Sequence, residues 1–120
     1  MSFPKATLEL LDRTREVGIE TRSAQGKKHS VPIWVVVDGD EVFIRTYRGP
    51  KSRWYLELLA APGALVANGK RIPIKAVRAS DAESVRRTSD GLKKKYRKSG
   101  SLNSMLLPEV LTTTLRLEPV

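Results

Sequence analysis

The stretch from Val31 to Leu59, VPIWVVVDGDEVFIRTYRGPKSRWYLELL, constrains the fold of this chain more than any other. It opens with a continuous apolar, β-branched run over 31–37, which predicts a strand buried on both faces. Pro32 falls near the start of that run, where a missing N–H costs least. Asp38–Gly39 is a hairpin signal, because glycine tolerates the positive φ such a turn requires. A return strand covers 41–46 and ends in Arg45–Thr46. From Pro50 to Ala60 the period changes. Trp54, Tyr55, Leu58 and Leu59 recur at three- and four-residue spacing and predict a short helix stopped by Pro62–Gly63.

The flanking segments supply a frame for that unit. Residues 2–16 are expected to be helical, with Ser2 as cap, Pro4 in the first turn, Leu8 and Leu11 on one side and Gly18 as terminator. Residues 19–22 predict a first strand, followed by a turn around Ala24–Gly26–Lys28. Residues 64–67 and 71–79 form a second hairpin about Asn68–Gly69, and Pro73 predicts an edge position or a bulge in its second arm. Ser80 and Glu83 match a capping box. The helix they open is expected to run to about Lys98, with Ala82, Val85, Leu92 and Tyr96 inward. A polar loop over 99–104 leads to a last strand over 112–117. The expected fold is mainly β, a six-stranded antiparallel barrel with three flanking helices in a single domain over 1–120.

Charge points to an anionic partner. The formal net charge is +9, and residues 86–98 carry seven basic side chains against one acid, which is +6 of that total. A smaller cluster, Arg45, Arg48, Lys51 and Arg53, contains no acid and sits at a strand–helix junction, where function concentrates. Cysteine is absent, which excludes disulfides, thiolate catalysis and Cys-ligated metal. The apolar runs are too short to span a bilayer. The first residues lack a secretory h-region with a cleavage site, so a cytoplasmic protein is expected, with no membrane partner.

The small cluster has the parts of a phosphate cradle. Arg can chelate two phosphate oxygens, Lys adds a point charge, and the Thr46 hydroxyl adds a donor. Gly49 lets the backbone approach a ligand. The helix opening at Pro50 to Arg53 presents free N–H groups and the positive end of its dipole.

The segment PIWVVVDGDEVFIRTYRGPKSRWYLELLAAPGALVANGKRI resembles the core of the split-barrel flavin-binding superfamily, which includes pyridoxamine-phosphate-oxidase-like and deazaflavin-dependent reductase-like proteins. The likeness lies in a P-x-W strand, a hairpin, a strand ending in Arg-Thr, a basic loop and a helix. An R-x-x-G-P-K/R-x-x-W-Y signature, Lys95–Tyr96 and a tail over Thr113–Pro119 are similar to a small uncharacterised family within it. The resemblance implies a split barrel and a homodimer holding FMN, or alternatively a deazaflavin, in a cleft between subunits. It also implies an oxidoreductase whose cofactor carries the hydride chemistry. Carried over, Arg45, Thr46, Arg48, Lys51 and Arg53 would hold the phosphate, and Ile33, Trp34 and Val35 would wall the ring. The chain departs from the vitamin B6 oxidases at Gly49–Pro50 and stops at Val120 without their C-terminal substrate segment, so vitamin B6 oxidation is not expected.

Other residues point to structure. His29 is the single histidine and is expected at the surface near a strand start. Trp54 and Tyr55 have core or dimer spacing, and Asp38 and Asp40 flank a turn glycine. No Ser-His-Asp, Walker or dinucleotide motif is assignable, and no catalytic residue is identified. A second reading stays open at this point: a non-enzymatic module of the same fold that lacks cofactor, or one binding nucleic acid through 86–98. The cations of that segment surround the helix and carry no base-reading motif, so a solvated helix face is expected there.

Overall fold

The computed structural model describes residues 2–120. Its elements are helix α1 (Lys5–Arg13), strands β1 (Val17–Arg22), β2 (Lys28–Ile33), β3 (Val36–Asp38) and β4 (Glu41–Ile44), helix α2 (Arg53–Ala60), strands β5 (Gly63–Ala67) and β6 (Lys70–Arg78), helix α3 (Ala82–Lys95), a 3₁₀ turn (Leu102–Met105), helix α4 (Pro108–Leu111) and strand β7 (Leu115–Pro119).

The strands form one sheet in the order β2-β1-β5-β6-β7-β4-β3, and every neighbouring pair is antiparallel. β2 and β3 are consecutive in the chain yet stand at opposite ends of that order. Ile33 and Val36 are three peptide units apart, at most about 11 Å, whereas the edges of a flat seven-stranded sheet would lie about 29 Å apart. The sheet therefore curls until its edges meet, and Trp34–Val35 is the joint.

This joint corrects the expectation of one strand over 31–37. The run contributes to two strands, giving seven instead of six, and α4 raises the helices from three to four. α4 is opened by Pro108, whose lost N–H costs nothing in a first turn. The other adjustments are local. Pro4, not Ser2, precedes α1, and α1 ends at Arg13, so Gly18 lies inside β1. α3 is capped by Asp81, whose side chain accepts the Ser84 N–H at 3.0 Å, and Ser80 stands outside. Pro73 is in a strand paired on both sides, neither edge nor bulge. Its carbonyl accepts the Val120 N–H, and β7 pairing begins only at Ile74–Pro119. The missing Pro73 N–H therefore faces the end of β7, where no ladder bond is lost.

Two apolar groups sit on either side of the sheet. The barrel interior is filled by Leu11, Val17, Ile19, Val35, Ile44, Tyr55, Leu65, Ile74 and Leu115, among others. A second cluster under α3 joins Val36, Phe43, Leu92, Tyr96, Met105 and Val110. α3 is also pinned from outside, because Arg87 donates to Asp38 on β3 and Glu41 on β4. These pairs raise the Arg87 pKa.

Candidate functional site

A cleft of about 820 Å³ opens where the β2–β3 joint, the end of β4, the start of α2 and the loop after α3 converge. Of the eight residues singled out from the sequence, Ile33, Trp34, Arg45, Thr46, Arg48 and Arg53 line it. Lys51 is exposed outside this lining. Val35 is fully buried in the barrel interior. Its N–H donates to the Tyr96 hydroxyl and its carbonyl accepts from Lys95 Nζ at 2.9 Å, so neither its side chain nor its backbone faces the cleft.

Arg45 differs most from its sequence reading. It is 1% exposed. Its Nε donates to Thr114 Oγ1, its Nη1 to Ser89 Oγ and the Met105 carbonyl, and its Nη2 to the Val85 carbonyl, at 2.9 to 3.0 Å. Four of five guanidinium N–H bonds are thus spent internally, and no carboxylate is among the acceptors. Burial lowers its pKa to about 10. Arg45 ties the end of β4 to α3, to the 3₁₀ turn and to Thr114 ahead of β7. It leaves an uncompensated positive charge behind the cleft wall. Thr46 is equally buried, and its hydroxyl accepts the Arg48 N–H.

The unspent donors lie one step further along. The Gly49 N–H bonds to the Thr46 carbonyl and the Ser52 N–H to the Gly49 carbonyl, a tight loop that Gly49 permits at φ 84°. Ser52 then caps α2 without its side chain accepting from the helix. Among the described residues, Ser52 Oγ is the one buried side-chain polar atom without a partner, and Ser52 is 7% exposed. The first helical bond of α2 runs from the Leu56 N–H to the Ser52 carbonyl, so the N–H groups of Arg53, Trp54 and Tyr55 have no acceptor within the helix. A hydroxyl, a helix N-terminus and the exposed cations Arg48 and Arg53 therefore converge on one wall, a donor set that fits a phosphate.

The other walls complete the picture. Trp34 stacks on Tyr96 with ring centroids 4.0 Å apart and planes 4° from parallel. Tyr96 is fully buried, and its hydroxyl donates to the Arg15 carbonyl at 2.6 Å. Burial raises its pKa to about 12. Trp34, half-buried and lining the cleft, is thus a platform with a rigid backing. The hydroxyl-bearing Ser99, Ser101 and Ser104, with the apolar Met105, also line the cleft. Sequence reading missed Ser52 and these serines, because single hydroxyls in polar loops carry no pattern.

The remaining candidates sit elsewhere. His29 lies on β2 with Nδ1 3.1 Å from Glu57 Oε1, and is not a free surface residue. Trp54 and Tyr55 are both buried. Of the late-helix cations, Arg87 is held by two acids and Lys95 turns inward onto the Leu11 and Val35 carbonyls, so a uniformly solvated face is not what forms. Among the described residues, no helix is long and apolar enough to cross a membrane.

A seven-stranded antiparallel sheet curled around an apolar interior, with this cleft at the joint of its edges, is the split-barrel fold. Its solved counterparts include an F420 reductase (14% identity, 98% of this chain and 96% of the other, TM-score 0.59). They also include HutZ, the heme storage protein of Vibrio cholerae (15%, 100% and 92%, 0.62). A third is an FAD- and heme-binding protein from Mycobacterium smegmatis (20%, 98% and 65%, 0.59). No curated protein matches the sequence. The chain belongs to the family described as "Uncharacterized protein conserved in bacteria (DUF2255)", whose sequence model matches residues 7–117.

Proposed function

We propose that this protein binds FMN, or a deazaflavin through its phosphate, in the cleft and acts as a small flavin-dependent oxidoreductase, working as a homodimer. The observation that carries the reading is the unpartnered, buried Ser52 Oγ at the N-terminus of α2, in the same cleft as Arg48, Arg53 and the Trp34 platform. An orphaned buried hydroxyl costs about 1–3 kcal/mol, and an oxyanion at this point would recover it. The phosphate ligands in this reading are Ser52, Arg48, Arg53 and the first amides of α2, with Thr46 shaping the loop. Arg45 acts through its charge from behind the wall, and Lys51 steers from outside. The ring lies against Trp34 and Ile33. The flavin, when bound, supplies hydride transfer, while the excess of arginine over acid along the cleft favours its anionic reduced form.

The neighbours named for F420 and FAD support a flavin-type ligand. Those named for heme raise a competing ligand. The flavin reading is favoured because the chain's single histidine is engaged by Glu57 and does not line the cleft, and imidazole is the commonest iron ligand in such sites. Titration of the protein with FMN tests the proposal. Quenching of flavin fluorescence with a saturable midpoint is expected, weakened at least about tenfold in Arg48→Ala/Arg53→Ala. Folded protein that leaves the FMN spectrum unchanged would overturn it.

A further inference from the structure

Arg53 and Glu57 occupy i and i+4 positions on α2, a spacing at which opposite charges ordinarily pair. They do not pair here, although Arg53 lies close enough to lower the Glu57 pKa. Glu57 is turned the other way. Its Oε1 accepts the Thr21 hydroxyl of β1 at 2.8 Å and His29 Nδ1 of β2 at 3.1 Å. The side chains of Glu57 and His29 are 12% and 17% exposed. Burial pushes the Glu57 carboxyl up, but the bonds from Thr21 and His29 bring it below its ordinary value, so the group is a carboxylate. Thr21 and His29 are directly opposed in the β1–β2 register, which places two donors side by side under the middle of the helix. The neighbouring Glu20 and Arg22 alternate onto the opposite face, and there Glu20 pairs with Lys28 and Arg71.

We infer that Thr21 and His29 form a carboxylate-sequestering pair that holds Glu57 away from Arg53, keeping the Arg53 guanidinium available to a phosphate-type anion at the N-terminus of α2. This rests on the phosphate-cradle reading above and assigns positioning roles to Thr21, His29 and Glu57, none of which lines the cleft. Without the two donors, the Glu57 carboxylate is one helical turn from Arg53 and competes with the ligand for it. Arg53 then contributes to the cleft only when a bound anion outbids an intrahelical ion pair.

The test is calorimetric titration of the full chain with FMN and with inorganic sulfate. Thr21→Val/His29→Ala is expected to weaken both about two- to fivefold, the scale of an exposed ion pair. Adding Glu57→Gln to that variant restores wild-type affinity, because the competing charge is gone; a purely structural loss would not be repaired by removing a third side chain. Glu57→Gln alone binds at least as tightly as the wild type. Unchanged affinity in the double variant, failure of Glu57→Gln to restore it, or weaker binding in Glu57→Gln alone would overturn the inference while leaving the cradle standing. Wild-type protein that binds neither ligand would overturn both.

Discussion

Ser52 and Arg45 both border the cleft, and each is a polar group buried at a cost. Ser52 buries a hydroxyl without a partner. Ser52→Ala should therefore raise thermal stability, by about 1 kcal/mol, while weakening FMN binding; melting curves and titration on the same sample check both. Arg45 buries a charge but satisfies its neighbours. Arg45→Ala would leave the Ser89 hydroxyl and the Met105 carbonyl without their arginine donor and take one bond each from the Thr114 hydroxyl, which keeps the Leu111 carbonyl, and from the Val85 carbonyl. A loss of about 3 kcal/mol or more in denaturant unfolding is expected. The sequence made these two residues look the other way round. An arginine beside a threonine at a strand end resembles a ligand, and a lone serine in a basic loop resembles nothing. The available signal was alternation along β4. Phe43 belongs to the cluster under α3, so Arg45, two residues on, faces α3 as well.

At the scale of elements, most boundaries followed from turn chemistry. Asn68–Gly69 forms the hairpin turn expected of it, with both residues at positive φ, and Gly39 does the same between β3 and β4. The joint at Trp34–Val35 was not legible, because an unbroken β-branched run gives no local sign that its halves pair with different strands. The joint is held by Lys95 and Tyr96, which grip the Val35 peptide from α3. Burial lowers the Lys95 pKa to about 8. Between that value and its ordinary 10.5, the unfolded chain holds a proton that the folded chain has released, so folding stability contributed by this group rises with pH from about 8 to about 10.5. Lys95→Met should flatten the rise in melting temperature between pH 8 and 10. An identical pH profile in the variant would contradict the burial argument. A close approach fixes the other half of the barrel. A Cβ on Gly63 would stand 2.4 Å from the Glu20 carbonyl oxygen of β1. Gly63→Ala should cost about 1–3 kcal/mol, read as a lowered denaturant midpoint with an unchanged slope.

For the whole molecule, residues 86–98 supply +6 of the net charge of +9. The fold redistributes that charge. Arg87 and Lys95 serve to hold α3 in place, Arg86 lies 3.4 Å from Asp90, and Lys93 and Lys94 stand at the helix C-terminus, where the dipole favours cations. Of the smaller cluster, Arg45, Arg48 and Arg53 line the cleft. The antiparallel barrel was legible because hairpins and strand periods are local. The cleft was legible only in outline, since its lining comes from segments as distant as Trp34, Ser52 and Ser104. A cleft that anchors a flavin by its phosphate must distinguish FMN from riboflavin, its phosphate-free form, in parallel titrations. FMN is expected to bind at least about a hundredfold tighter than riboflavin, the contribution of two charge-assisted contacts. Equal affinities for the two would contradict it.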